Sequence, residues 1–273
     1  MTTHGLRRSV GSRMSVALFA VLSLTASAHV AAKEDHKFSV SLGLFVTDRQ
    51  SVTRIGIVGD PSGTPVDLEK DLGLDRSDSV FRIDSYYKFS DKHRIDASAF
   101  DLSRTSNKVI DTEIDWGDTI YPINTTVVGE FDLNIYKLAY TYSFMRRDNG
   151  YLGLTGGLYV ADIGTRLSAD GIGARSGGGI TAPLPVLGLR GEYQFSEKWM
   201  FRASGEFFAL EYDAFSGSLT DLYAGIDYQL FDNAAIGLGI NSVSIDVGVE
   251  DTDLTGDLDW RYDGGMLFLK VDF

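Results

Sequence analysis

From residue 37 onward the chain alternates apolar and polar positions with a period of two. Phe38, Val40, Leu42, Leu44 and Val46 share one face, and Ser39, Ser41, Gly43 and Thr47 the other. The end of the chain repeats the pattern, with Leu267, Leu269, Val271 and Phe273 opposite Lys270 and Asp272. Such alternation is the signature of strands that show different surroundings to their two faces. It predicts ten strands, over 37–47, 79–89, 93–104, 130–145, 150–163, 183–195, 198–211, 219–231, 234–248 and 258–273. The turns at 90–92, 146–149, 196–197 and 232–233 are short; the connections at 48–78, 105–129, 164–182, 212–218 and 249–257 are longer.

Two segments break the parity. Between Arg94 and Arg104 the apolar set shifts from Ile95, Ala97 and Ala99 to Phe100 and Leu102, and a second shift falls near Ile135 and Tyr136. A β-bulge in each predicts such a shift. A misplaced strand is the alternative, which leaves counts of eight or twelve open.

The polar face decides what the apolar face meets. It carries Arg82, Asp84, Lys88, Arg94, Asp96, Lys137, Arg190, Glu192, Arg202, Glu206, Asp227 and Lys270. A water-soluble barrel would fill its interior with the apolar face. A transmembrane barrel turns that face to lipid and pairs the charges in its lumen. Aromatic residues favour the second arrangement. Tyr87 and Phe89, Tyr142 and Phe144, Tyr193 and Phe195, and Tyr228 each close a strand before a short turn, at the common depth of an interfacial girdle. The fold class expected is therefore all-β, a transmembrane antiparallel up-and-down barrel of about ten strands with both termini periplasmic.

The N-terminus fits an exported protein. Arg7, Arg8 and Arg13 flank an apolar run from Met14 to about Ala26, and small residues follow. Residues 1–32 are expected to be a cleaved signal peptide and 33–273 the barrel domain. There are no cysteines, so the fold closes without disulfides. The mature chain would hold 22 basic and 38 acidic residues, a charge near −16. That balance argues against a nucleic-acid partner.

At its C-terminus the chain resembles the outer-membrane β-barrel proteins of Gram-negative bacteria, which end in an aromatic residue preceded by alternating apolar positions. The resemblance rests on Leu267, Leu269, Val271 and Phe273. It implies a location in the outer membrane, and that these residues are read by the barrel-assembly machinery. It also implies contact with outer-membrane lipid and lipopolysaccharide.

Catalytic candidates are few. Small outer-membrane barrels that are enzymes rely on a histidine near the outer rim. Of four histidines here, His4 and His29 leave with the signal, and His36 and His93 fall at the periplasmic end. No catalytic residue, cofactor or metal site is expected. Glu250, Asp251 and Asp253 offer oxygen ligands for Ca²⁺ without completing an EF-hand. Gly153 to Gly157 would relieve crowding in a strand, and Gly177 to Gly179 would form a mobile loop. The leading expectation is a non-enzymatic barrel, structural or a narrow porin-like channel with a charged lumen. The alternatives are a surface binding module using long acidic loops with Trp116, Tyr121 and Trp260 near the rim, or a lipid-modifying enzyme.

Overall fold

The computed structural model describes residues 36–56, 64–117, 119–212, 215–250 and 255–273. The expected signal peptide, with Asp251 and Asp253, lies outside them. In chain order the strands are β1 (Phe38–Gly56), a short β2 (Val66–Asp67), β3 (Ser77–Ser90), β4 (His93–Val109), short β5 (Ile114–Trp116) and β6 (Thr119–Tyr121), then β7 (Thr126–Arg147) and β8 (Gly150–Ala169). The rest are β9 (Ala174–Gln194), β10 (Trp199–Tyr212), β11 (Phe215–Phe231), β12 (Ala234–Glu250) and β13 (Thr255–Asp272). Ten of these form the wall, each antiparallel to its neighbours, and β13 pairs with β1 to close the barrel. Closure matters in a bilayer, because an open edge there would leave backbone groups without partners. At the seam Phe273 N donates to Phe38 O at 2.7 Å, and Lys37 N donates to Phe273 O at 3.0 Å.

The expected strands are all present, and most run further than the alternation suggested. β7 shows why. At its C-terminal end Tyr136, Leu138, Tyr140, Tyr142 and Phe144 point outward and are exposed, while Lys137, Thr141 and Ser143 are buried inside. Toward its N-terminal end the backbone keeps the same register with no break, yet Val127, Phe131, Leu133 and Ile135 are the buried residues. Their outward neighbours there are Glu130, Asp132 and Asn134.

The expected bulges at the parity shifts are therefore corrected. β4 and β7 stay in register from His93↔Tyr142 to Val109↔Thr126, and the register shifts near β4 and β7 lie instead at Lys88/Ser90 and Ser143/Met145. The backbone does not slip. The medium on each side changes, so the polar pattern inverts around an unbroken strand. The same inversion falls between Ile240 and Ser242 on β12 and between Gly265 and Asp263 on β13, positions joined across strands as Ile240↔Gly265 and Ser242↔Asp263.

The barrel thus has two halves. The half nearest the termini exposes apolar side chains around its girth, over up to nine residues per strand, as from Tyr136 to Phe144 on β7. That length suits a tilted strand crossing a hydrocarbon core. The far half exposes polar side chains and packs an apolar core inside. Two pairings stop at the boundary: β3 with β4 at Arg82↔Phe100, and β9 with β10 at Leu187↔Phe207. Beyond it the wall consists of two sheets, β4-β7-β8-β9 and β10-β11-β12-β13-β1-β3, with Phe131, Leu133, Leu184, Leu219, Ile245 and Trp260 in one core between them. The connections at 164–182 and 212–218 are largely strand, and the β8–β9 link narrows to a single turn at Asp170–Ile172. Gly177 to Gly179 belong to β9, paired with Arg166 to Gly164, and form no loop of their own.

Candidate functional site

The lumen of the membrane half holds every charged residue assigned to it from sequence. Around the Tyr86 ring stand three cations, with Arg94 Cζ 4.0 Å, Lys88 Nζ 5.5 Å and Lys270 Nζ 5.9 Å from the centroid. Lys270 also pairs with Asp272 at 3.2 Å. Deeper in, Arg94 Nε donates to Asp96 at 2.7 Å and Arg94 Nη1 to Glu192 at 2.7 Å. Arg190 lies 3.8 Å from Asp96 and 3.5 Å from Glu206, and Arg202 is 2.9 Å from Asp227. Closest to the far half, Lys137 pairs with Glu206, while Arg82 Nε bonds Asp84 at 3.0 Å and Arg82 Nη1 donates to Asn241 at 2.9 Å.

Several members were missed from sequence. Asp221 accepts from Tyr159 and from Asn241 Nδ2 at 2.6 Å, and Tyr262 donates to Asn241 at 3.0 Å. Asp221 lies near the start of a strand beside a predicted loop, and Tyr86, Tyr159 and Tyr262 had no role assigned from sequence. Among neighbouring tyrosines the parity was the available signal: Tyr86 faces in and Tyr87 out. With Asp221 and Asp272 added, the described membrane-half lumen holds seven cations (Arg82, Lys88, Arg94, Lys137, Arg190, Arg202, Lys270) and seven anions (Asp84, Asp96, Glu192, Glu206, Asp221, Asp227, Asp272). Buried charges are tolerated only when paired, and the balance meets that requirement. One cavity among these side chains, of about 70 Å³, is lined by Arg82, Asp84, Arg94, Asp96, Lys137 and Arg190.

Above the network the far-half core closes the interior. The segments between β1 and β3 and between β4 and β7 turn inward, burying Val66, Leu68, Leu72, Ile110 and Ile114. Ser51 N and Oγ donate to Glu69 at 2.8 and 2.9 Å, and Arg104 Nη1 reaches the same carboxylate at 2.5 Å. Glu69 lies in the connection predicted over 48–78, and its carboxylate latches that segment to the wall. Trp116, Tyr121 and Trp260 are likewise corrected. Expected at the rim as ligand contacts, they are 1%, 0% and 1% exposed, because the far half buries its large apolar side chains.

The outer wall carries the girdle. Tyr87, Phe89, Tyr142, Phe144 and Phe195 are exposed at the end nearest the termini, and Tyr193 and Tyr228 are half-buried there. Cross-strand pairs Phe38↔Tyr87, His93↔Tyr142, Gly150↔Tyr193 and Trp199↔Tyr228 set them at one level. His93 Nδ1 lies 2.5 Å from Tyr140 Oη at this end, far from the far-half surface. The terminal residues Leu267, Leu269 and Phe273 point outward and are exposed, and Val271 shares their face half-buried.

A closed barrel with an exposed apolar band, an aromatic girdle and a paired polar lumen is a membrane-spanning barrel of the outer-membrane class. The fold is that of the outer-membrane β-barrels of Gram-negative bacteria, as the sequence led one to expect. No protein-family model matches it, and no curated protein matches it. Among solved structures it is similar to the outer membrane protease OmpT from Escherichia coli, with a TM-score of 0.56 and 10% identity over 90% of this chain and 99% of that one. Ail of Yersinia pestis, in complex with the heparin analogue sucrose octasulfate, has a TM-score of 0.40 at 11% identity, covering 85% of this chain and 99% of that one. The Pseudomonas putida toluene transporter TodX has 0.35 at 10%, covering 87% and 90%. At these identities the likeness is one of fold.

Proposed function

We propose that the protein is a closed, non-enzymatic outer-membrane barrel that holds its far half outside the cell as a binding surface, with both termini in the periplasm. The observation that carries this reading is the double closure of the interior. Seven cations and seven anions fill the membrane half, and an apolar core seals the far half above them. A conducting lumen needs a continuous wet path, so the closure favours a surface role over the porin-like one. The orientation is supported by the short turns at the end that holds the termini and by the polar wall of the far half. His36 and His93 lie at the end of the termini, which favours binding over histidine-dependent chemistry at the surface. Lipid and lipopolysaccharide would contact the exposed band. The assembly machinery would read Leu267, Leu269, Val271 and Phe273 on its outward face.

Planar-bilayer recording of the refolded protein tests the closure. Silence over many insertions is expected, and regular conductance steps would overturn it. The absence of cysteine makes orientation simple to read. Ser244→Cys on the outward face of β12 should react with an impermeant maleimide on intact cells. Labelling only after the outer membrane is permeabilised would reverse the assignment.

A further inference from the structure

β9 has one partner where a wall strand should have two. Residues 174–185 pair with β8 throughout, from Ala169↔Ala174 to Leu158↔Pro185. Pairing with β10 covers only Leu187 to Gln194. Among the described residues, no backbone hydrogen bond joins 174–186 to anything on the β10 side. In an antiparallel sheet a strand sends half its N–H and C=O groups to each neighbour. A row of these groups therefore lacks a ladder partner on the far-half wall.

The lower part of that edge is already blunted. Pro183 and Pro185 are two apart, so they remove donors from the same side of the strand. The register with β8 runs through both prolines, whereas pairing with β10 ends just short of them. Proline on a free edge is a known guard against unwanted pairing. From Arg175 to Thr181 no proline intervenes, and this stretch keeps its donors.

A second, independent feature lies beside it. The outward positions of this stretch are Arg175, Gly177, Gly179 and Thr181, all exposed. Arg175, Gly177 and Gly179 line a concave surface of about 730 Å³ over β7, β8 and β9, with Asp132, Asp162 and Arg166 also in its wall. Its glycine floor is fixed by the fold. A Cβ on Gly177 would stand 2.5 Å from Thr165 O and 3.0 Å from Arg166 Cα, so β8 passes too close for any side chain. Bare backbone and a free edge thus occur together at one place.

An extended polypeptide is the ligand that fits both. It offers alternating donors and acceptors at strand spacing to the edge, and its side chains find room above the glycines. A second copy of this chain fits poorly. A two-fold axis along the membrane normal gives a β9 of the same sense, which cannot form an antiparallel ladder with the first. We propose that the 175–181 edge of β9 is a strand-addition site for an extended segment of another protein. The proposal rests on the reading of the far half as a binding surface and adds the class of partner.

The probe is a fluorescein-labelled ten-residue peptide of alternating Thr and Val with one Asp, added to the refolded full-length protein in detergent micelles and followed by anisotropy. The edge reads main chain, so a generic peptide serves. Saturable binding is expected, with roughly tenfold weaker binding for a twin N-methylated at alternate residues, the cost of lost main-chain bonds. Thr181→Pro should weaken binding by a similar factor. Thr181→Val, which loses the 3.0 Å hydroxyl bond to Asp162 yet keeps its N–H, should not. No binding, equal binding of the twin, or an unaffected Thr181→Pro overturns the proposal. Should Thr181→Pro fail to fold, amide exchange on the unaltered protein decides. Gly177 and Gly179 should exchange fast alone and slowly with peptide, and slow exchange without peptide means the edge is already bonded. Peptide binding by a conducting barrel would sink the closed-lumen reading and leave this site standing; a silent barrel without binding does the reverse.

Discussion

The membrane half and the far half are built from the same strands and obey opposite rules. On β7, Tyr136 faces out and Ile135 faces in, and the two are adjacent. Toward the termini from this point the outside is apolar and the inside charged; beyond it the outside is polar and the inside apolar. Nothing in the β7 backbone marks the change, since its register with β4 runs straight through it. The lesson is that period-two alternation reports two different media, and only a reversal of its sense locates the boundary between them. Each half is held differently as well. The membrane half depends on ion pairs that must all be present, whereas the far half depends on the contact area of a packed core.

The largest effect should come from breaking the charge balance. Glu206 is 1% exposed and pairs with Lys137 and Arg190. Glu206→Gln leaves two buried cations short of a partner and should cost about 3–5 kcal/mol in urea unfolding from lipid vesicles. An effect below about 1 kcal/mol would mean the lumen is wetter than its burial implies. Next, Leu133→Ala in the far core should cost about 2–5 kcal/mol. The loss should be local, with faster amide exchange in the far half and unchanged exchange in the membrane half. Uniform loss would show that the halves unfold as one.

The boundary itself is tested by two residues on one face. Leu138→Arg puts a charge into the lipid-facing band and should cost about 2–4 kcal/mol. Asn134→Arg, two repeats of the alternation further from the termini, should change stability by less than about 0.5 kcal/mol. Equal costs would erase the boundary drawn between them. The smallest effect concerns the far-half surface. Asp259 stands directly across from Asp246. Burial, then the Asp246 charge, hold its carboxyl above the ordinary range. The folded chain therefore binds this proton more tightly than the unfolded one, and its charged form opposes folding at neutral pH. Asp259→Asn should stabilise by a few tenths of a kcal/mol at pH 7, the usual size for like charges across a strand pair. The gain should vanish as pH falls through that raised value.

The ten strands and the inward charges were legible because membrane strands alternate strictly, as Leu138 and Lys137 do. The far half was not legible as such. Phe100 and Leu102 looked like a slipped register, since a constant medium was assumed along the strand. Trp116 and Tyr121 sit among acidic residues and read as a solvated loop, yet they fold inward as the lid of the core. Glu69 carried no signal of burial, because its partner Arg104 lies on another strand. Long-range partners of this kind leave no local pattern. The free edge of β9 did leave one, in Pro183 and Pro185, whose spacing marks a single side of a strand.

The lumen charges cancel while the whole chain carries a formal charge of −13, so the excess sits elsewhere. A voltage acts on net charge displaced through the membrane, at about 2.3 kcal/mol per charge for each 100 mV. Seven of each sign, locked to one another, leave an applied voltage almost nothing to pull on. This barrel should keep one conformation whatever potential develops across its membrane, answering to what touches its outer face and to no electrical signal.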